Sequence, residues 1–192
     1  MESNQIINSL DDLLAQGHTI NEVVSVLDDV FIIANYDLLT EKGATNIDLA
    51  AVRDRVEPVV VMNNLAVFQN ANVPVDKDRI IGLINAFSET DMLYRVLPRE
   101  IKAWSTLGAD TQVISDRYIG IGGVKPSVLE AFMDVGVKLN TDELIESLLD
   151  WAKETKEDVE LESNVPVLKR AGLNEDSIDE VRKRASELIN KH

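Results

Sequence analysis

The chain has 192 residues, 45% of them apolar, and carries 34 acidic against 19 basic side chains for a formal charge of −15. That apolar share supplies a globular core, the lack of Cys excludes disulfides, thiolate metal sites and a cysteine nucleophile, and the negative surplus opposes direct contact with nucleic acid. Met1 to Gln5 lack the basic start and apolar run of a signal peptide, and the longest apolar run, Val30 to Ala34, falls far short of the ~20 residues of a membrane span, so a cytoplasmic protein with no membrane contact is expected.

Apolar residues recur at helical spacing along most of the chain. Ile6, Ile7, Leu10, Leu13 and Leu14 share one face of a first helix that Gly17 ends. Thr19 and Glu22 form a capping box, and the helix they open turns Ile20, Val23, Val24, Leu27, Val30, Phe31 and Ala34 inward and runs to about Leu39. A helix from Ile47 to Val56 stops at Pro58, and Val59 to Phe68 reads as a buried helix with proline at its first position. Asp76 caps a helix whose apolar side is Ile80, Ile81, Leu83, Ile84 and Phe87. Pro98 opens a short helix that stops near Gly108.

Residues 112–121, rich in strand formers and followed by glycines, read as a short strand or an irregular loop. Helical spacing returns with Val128, Leu129, Phe132 and Met133. A second capping box, Asn140 with Glu143, starts a helix burying Leu144, Ile145, Leu148, Leu149 and Ala152, and a third, Ser177 with Glu180, starts the last one. The expected fold is all-α, an irregular multi-helix bundle or a short stack of αα-hairpins. Its expected parts are a main helical domain over 1–152, a charged helix extension or hinge over 153–164, and a C-terminal helical unit over 165–192 packed on the first.

Several corners share one grammar. An apolar residue stands four before a Gly or Asn: Leu13 before Gly17, Leu39 before Gly43, Phe68 before Asn72, Phe132 before Gly136, Leu168 before Gly172. An αα-corner needs this, because Gly or Asn takes positive φ at the helix stop. The uneven separations favour shared turn chemistry over a solenoid of fixed period. The corner over 131–148 also resembles the turn of a helix-turn-helix reader, but Asp142, Glu143, Glu146 and Asp150 on its second helix reject DNA.

Few residues invite chemistry. The segment Gly120 to Ser127 places Gly122, Gly123, Lys125 and Ser127 before a helix, where backbone amides could cradle an anion. It matches no phosphate-loop pattern, so a structural turn is the stronger reading. His18 and His192 are the only histidines and have no metal-ligand spacing, so no metal and no cofactor is expected. Helix capping explains Asp76, Asp78, Asn174, Asp176 and Asp179 better than calcium binding does. Tyr94, Trp104 and Trp151 are assigned to core packing, with a binding hot spot as the lesser reading.

The acidic block is more informative. Between Asn140 and Glu162 nine acids face two lysines, a net of −7. Asp142, Glu143, Glu146, Asp150, Glu154 and Glu157 are the candidate partner-binding residues, against the plainer reading of a solvated helix face. The sequence thus points to a noncatalytic acidic interaction module, an adaptor or inhibitor of a protein with a basic surface. The alternatives are an acidic nucleic-acid mimic that occupies the groove of a nucleic-acid-binding protein, and a small enzyme acting on a phosphoryl ligand through Gly120 to Ser127.

Overall fold

The computed structural model describes residues 2–122 and 124–190, the side chain of Asp91 excepted. Among these residues the chain forms fifteen α-helices and one 3₁₀ turn, and no strand. The protein is all-α. Leu27, Ile84 and Leu148, taken from three different predicted faces, are all buried. No helix of the described residues is long and apolar enough to cross a membrane. The chain divides into two compact units, Met1–Ile80 and Ile81–His192, a division that does not coincide with the expected segments 1–152, 153–164 and 165–192.

The first unit is built from short helices: α1 (Ser3–Asn8), α2 (Leu10–Ala15), α3 (Ile20–Ser25), α4 (Asp29–Ala34), α5 (Tyr36–Glu41), α6 (Leu49–Arg55), α7 (Pro58–Asn63), α8 (Leu65–Asn70) and the start of α9 (Lys77–Ser88). Three of the junctions are kinks inside what the sequence presents as continuous helices. Each falls on a polar residue, Ser9, Asn35 or Asn64, whose backbone leaves helical geometry at φ of −106°, −117° and −126°. In each case the side chain donates to the carbonyl four residues back: Ser9 Oγ to Gln5 at 2.7 Å, Asn35 Nδ2 to Phe31 at 2.9 Å, Asn64 Nδ2 to Val60 at 2.9 Å. A side chain that competes for a helix carbonyl bends the ladder.

The helix expected from Ile20 to Leu39 is therefore broken twice, at Asn35 and at 26–28. In the second break Asp28 is extended, and its N–H and carboxylate both engage Ser3 Oγ, at 3.2 and 2.9 Å. That long-range partner replaces the intrahelical bond a continuous helix would give Asp28. The helix expected over Val59 to Phe68 does start on Pro58, and breaks at Asn64.

The shared corners are Schellman closures. Gly17, Gly43 and Asn72 have positive φ, and the next N–H donates back to Leu13, Leu39 and Phe68 at 3.1, 2.9 and 2.8 Å. Within this unit the kink precedes the stop by eight residues every time, so kink and corner recur together.

The second unit holds the rest of α9, the 3₁₀ turn Asp91–Arg95, α10 (Pro98–Leu107), α11 (Thr111–Gly120), α12 (Pro126–Asp134), α13 (Thr141–Thr155), α14 (Val159–Arg170) and α15 (Glu175–Asn190). Helix α13 packs on α11, α14 and α15, and α12 packs on α10, α11 and α14. Trp104, Tyr118 and Phe132 are fully buried, with the Trp104 ring edge-on to Phe87 at 6.1 Å.

The stretch 112–121 is neither strand nor loop. Helix α11 covers 112–120, with Ile121 as its C-cap, because Asp110 caps the Val113 N–H at 3.2 Å and because Ile114, Ser115, Tyr118 and Ile119 line up at helical spacing against the core. Packing overrides the β-propensity of Val113, Ile114, Tyr118 and Ile119.

Of the three capping boxes, Thr19 with Glu22 is complete, the bonds measuring 3.2 and 2.7 Å. Asn140 caps the Glu143 N–H at 3.3 Å, but Glu143 returns to the Asn140 side chain rather than its backbone. Ser177 with Glu180 is not a box, because α15 starts earlier and Asn174 accepts from the Ser177 N–H at 2.9 Å. The segment 153–164 holds the end of α13, a stop at Lys156 with φ of 63°, and the first half of α14 with Leu161 and Asn164 buried.

Candidate functional site

The second unit holds a cleft of about 880 Å³ lined by Tyr94, by Gly120 to Gly122 and Val124 to Pro126, by Trp151, and by Glu157, Val159, Glu160 and Ser163. Its floor is the turn that joins α11 to α12. Ser147 of α13 donates to the Ile119 carbonyl at 3.0 Å, which ties the end of α11 to α13. Gly122 then takes φ of +74°, and a Cβ there would sit 3.9 Å from the Trp151 ring. The same turn is held from the other side by Asn164, whose amide donates to Val124 O at 3.2 Å and to Glu160 O at 2.9 Å.

This geometry decides what the glycine-rich turn can do. The Gly122 N–H donates to Ile119 O at 3.3 Å, and the Lys125 N–H donates to the Tyr118 hydroxyl at 2.9 Å. The Gly122 and Lys125 amides are thus engaged within the unit, by a main-chain carbonyl and the Tyr118 hydroxyl, and Glu160 lines the same cleft. Lys125 lines the cleft, Ser127 is exposed in the first turn of α12 without capping it, and Gly123 lies outside the described residues.

Large apolar side chains remain open at the cleft. Tyr94, Ile121, Trp151 and Val159 are 42%, 37%, 39% and 67% exposed, and all four line it. The assignment of Tyr94 and Trp151 to the core is thereby corrected, whereas Trp104 is core. Period alone puts Trp151 at the edge of the α13 face, and the turn at Gly122 converts that edge into a wall. Burial pushes the Glu160 carboxyl above its ordinary range despite the Val124 N–H, and one of its oxygens is shut from water without a partner. The Tyr118 hydroxyl behind it is likewise raised by burial.

The acidic residues flank this cleft. Glu143, Glu146, Asp150 and Glu154 lie on one stripe of α13 and line a smaller concavity that shares Gly120, Ile121, Gly122 and Trp151 with the cleft. Glu157 lines the cleft itself. Asp142 is exposed but lines neither concavity, one helical step away. Glu146 is neutralised in part by Arg184 of α15 at 2.7 Å, while among the described residues no ion pair engages Glu143, Asp150, Glu154 or Glu157.

The first unit has a concavity of another kind. It is lined by Arg53, Arg55 and Arg79 together with Asp54, Glu57 and Asp76. Arg55 grips Asp29 through two bonds of 2.8 and 2.6 Å, and Arg53 pairs with Asp54. Its charges cancel locally. Among the described residues no three His, Asp or Glu side chains gather where a metal ion could be held. No family model, no curated protein and no solved structure matches the chain.

Proposed function

We propose that this protein is a noncatalytic interaction module that uses the second unit to hold a partner protein with a basic surface. One observation carries this reading: acids that helix stability does not call for stand beside exposed apolar side chains. Negative charge is favourable at a helix start and unfavourable near its end. Glu154 lies in the last turn of α13, which ends at Thr155, and costs the helix stability where Asp142 and Glu143 in its first turn support it, while Asp150 lies in neither end turn and gains nothing from the helix dipole. Next to them Ile121 and Trp151 keep apolar surface in water, and Trp is the residue most often found at the centre of an interface.

The same pairing separates this reading from a nucleic-acid mimic. A mimic relies on charge alone, and its binding falls steeply with salt. A partner that also fills an apolar cleft loses its electrostatic share and keeps the rest. Affinity capture from the source cell, with wild-type protein and with Glu143→Lys, Glu146→Lys and Asp150→Lys combined, tests both points. The expected result is a basic protein retained by the wild type at moderate salt and lost with the triple variant. Retention of the same proteins by both baits would refute the reading.

A further inference from the structure

We propose that the element seated in the cleft is a basic amphipathic helix, its bulky apolar side chains entering among Tyr94, Ile121, Trp151 and Val159 and its Lys or Arg side chains lying along Glu143, Asp150 and Glu154. This rests on the interaction reading above and adds the conformation and side-chain pattern of the ligand.

The argument for a helix comes from the backbone. A peptide bound in extended form needs main-chain donors and acceptors from its host. Here the turn has spent them: the Gly122 and Lys125 N–H groups are bonded within the unit, and the Ile119 and Val124 carbonyls accept from Ser147 and Asn164. The described residues contain no strand and so no open sheet edge. A ligand that satisfies its own backbone suits such a wall, and a helix does so.

Size and charge fix the rest. A cleft of about 880 Å³ lies in the range that takes several bulky side chains rather than one. An acidic ligand or an anionic membrane surface meets Glu157 and Glu160 inside the cleft and the α13 stripe beside it, so both are repelled. A cationic helix meets complementary charge, most of it along the α13 stripe on one side, which biases its orientation. It would also return Glu160 toward its ordinary range, since a positive charge nearby favours the carboxylate.

The test uses the full-length chain and labelled synthetic peptides of about 18 residues, some five helical turns. One is an amphipathic helix of Lys, Leu and Phe, one has the same composition scrambled, and one carries Glu in place of Lys. Fluorescence anisotropy should show the first binding at least about tenfold more tightly than the second, and the third not binding. Trp151→Ala and Ile121→Ser, both at exposed positions, should each weaken the first peptide by about tenfold or more and leave the weak binding of the scrambled one unchanged. Equal binding of the ordered and scrambled peptides, or indifference to both substitutions, overturns the helix-in-cleft proposal. Such a result would leave the broader reading standing if the triple charge reversal still abolished capture, whereas unaltered capture would remove the broader reading by itself.

Discussion

The two units carry nearly equal negative charge and use it differently. The first has 13 acids and five bases, the second 21 and 14, for nets of −8 and −7. In the first, eleven of the 13 acids stand just before a helix or in its first turn, from Glu2, Asp28, Asp48 and Glu57 to Asp76 and Asp78. With so many short helices, unsatisfied N–H groups are plentiful; Asp48 and Asp76 accept from the Ala51 and Arg79 N–H groups directly, and the other carboxylates stand at the positive ends of the helices. In the second, the block from Asn140 to Glu162 accounts for the whole surplus, and part of it lies where no helix start asks for it. Acidity in the first unit follows its many helix starts, while in the second it is concentrated in one block of the chain.

The sharpest way to break that contrast is to compare the two tryptophans of the second unit. Trp104 is 1% exposed and Trp151 39%. Truncation to Ala should cost about 3–5 kcal/mol of stability at Trp104 and under about 1 kcal/mol at Trp151, as read by urea unfolding. A large loss at Trp151 would make it a structural residue and remove the reason to see a site there.

Next in size is a buried acid outside the site. Glu100 of α10 is 4% exposed, Arg99 reaches one of its oxygens at 3.0 Å, and the other has no partner. Burial pushes its carboxyl up to about 7, the pull of Arg99 notwithstanding. Because the folded state holds the proton more tightly than the unfolded chain, the protonated carboxyl gives its full stability below about pH 4.5. That stability is lost as pH rises toward 7, by about 3 kcal/mol in all. Glu100→Gln should therefore stabilise the protein at pH 8 and leave it nearly unchanged at pH 4, in thermal melts at the two values. Equal effects at both would show that the carboxyl is not held neutral by burial.

The smallest effect sharpens the comparison of helix devices. Asn64 and Asn164 both donate to the carbonyl four residues back, and both stand eight residues before a positive-φ stop. Asn64 does only that, so Asn64→Ala should cost about 1 kcal/mol. Asn164 is fully buried and also holds Val124 in the cleft floor, so Asn164→Ala should cost about 2 kcal/mol and loosen the turn. The measurement is chemical denaturation of both variants, and equal losses would mean the Val124 bond contributes nothing.

Much of the fold was legible because helical period and corner chemistry are local. Leu13, Leu39, Phe68, Phe132 and Leu168 were marked by position alone, and each proved to be the residue whose carbonyl closes a Schellman stop. The kinks were not foreseen, although Ser9, Asn35 and Asn64 all stand eight before their stops. A Ser or Asn in a helical run signals a bend only when its side chain turns back to the ladder, which sequence does not specify. Helix α11 was hidden for the converse reason, since strand formers such as Ile114 and Ile119 follow the core once packing selects their face. Of the site, the acids were visible because charge is countable. The cleft was not, because it depends on a turn bringing Gly122 against Trp151, 29 positions along the chain.

A partner is expected to cover the wall between α11 and α14 in the second unit. Hydrogen–deuterium exchange of the full chain, alone and with the partner eluted from it, tests this most directly. Protection should appear over 120–125 and along 143–160, with the helix starts of the first unit unchanged. Protection confined to residues before 80 would contradict the account.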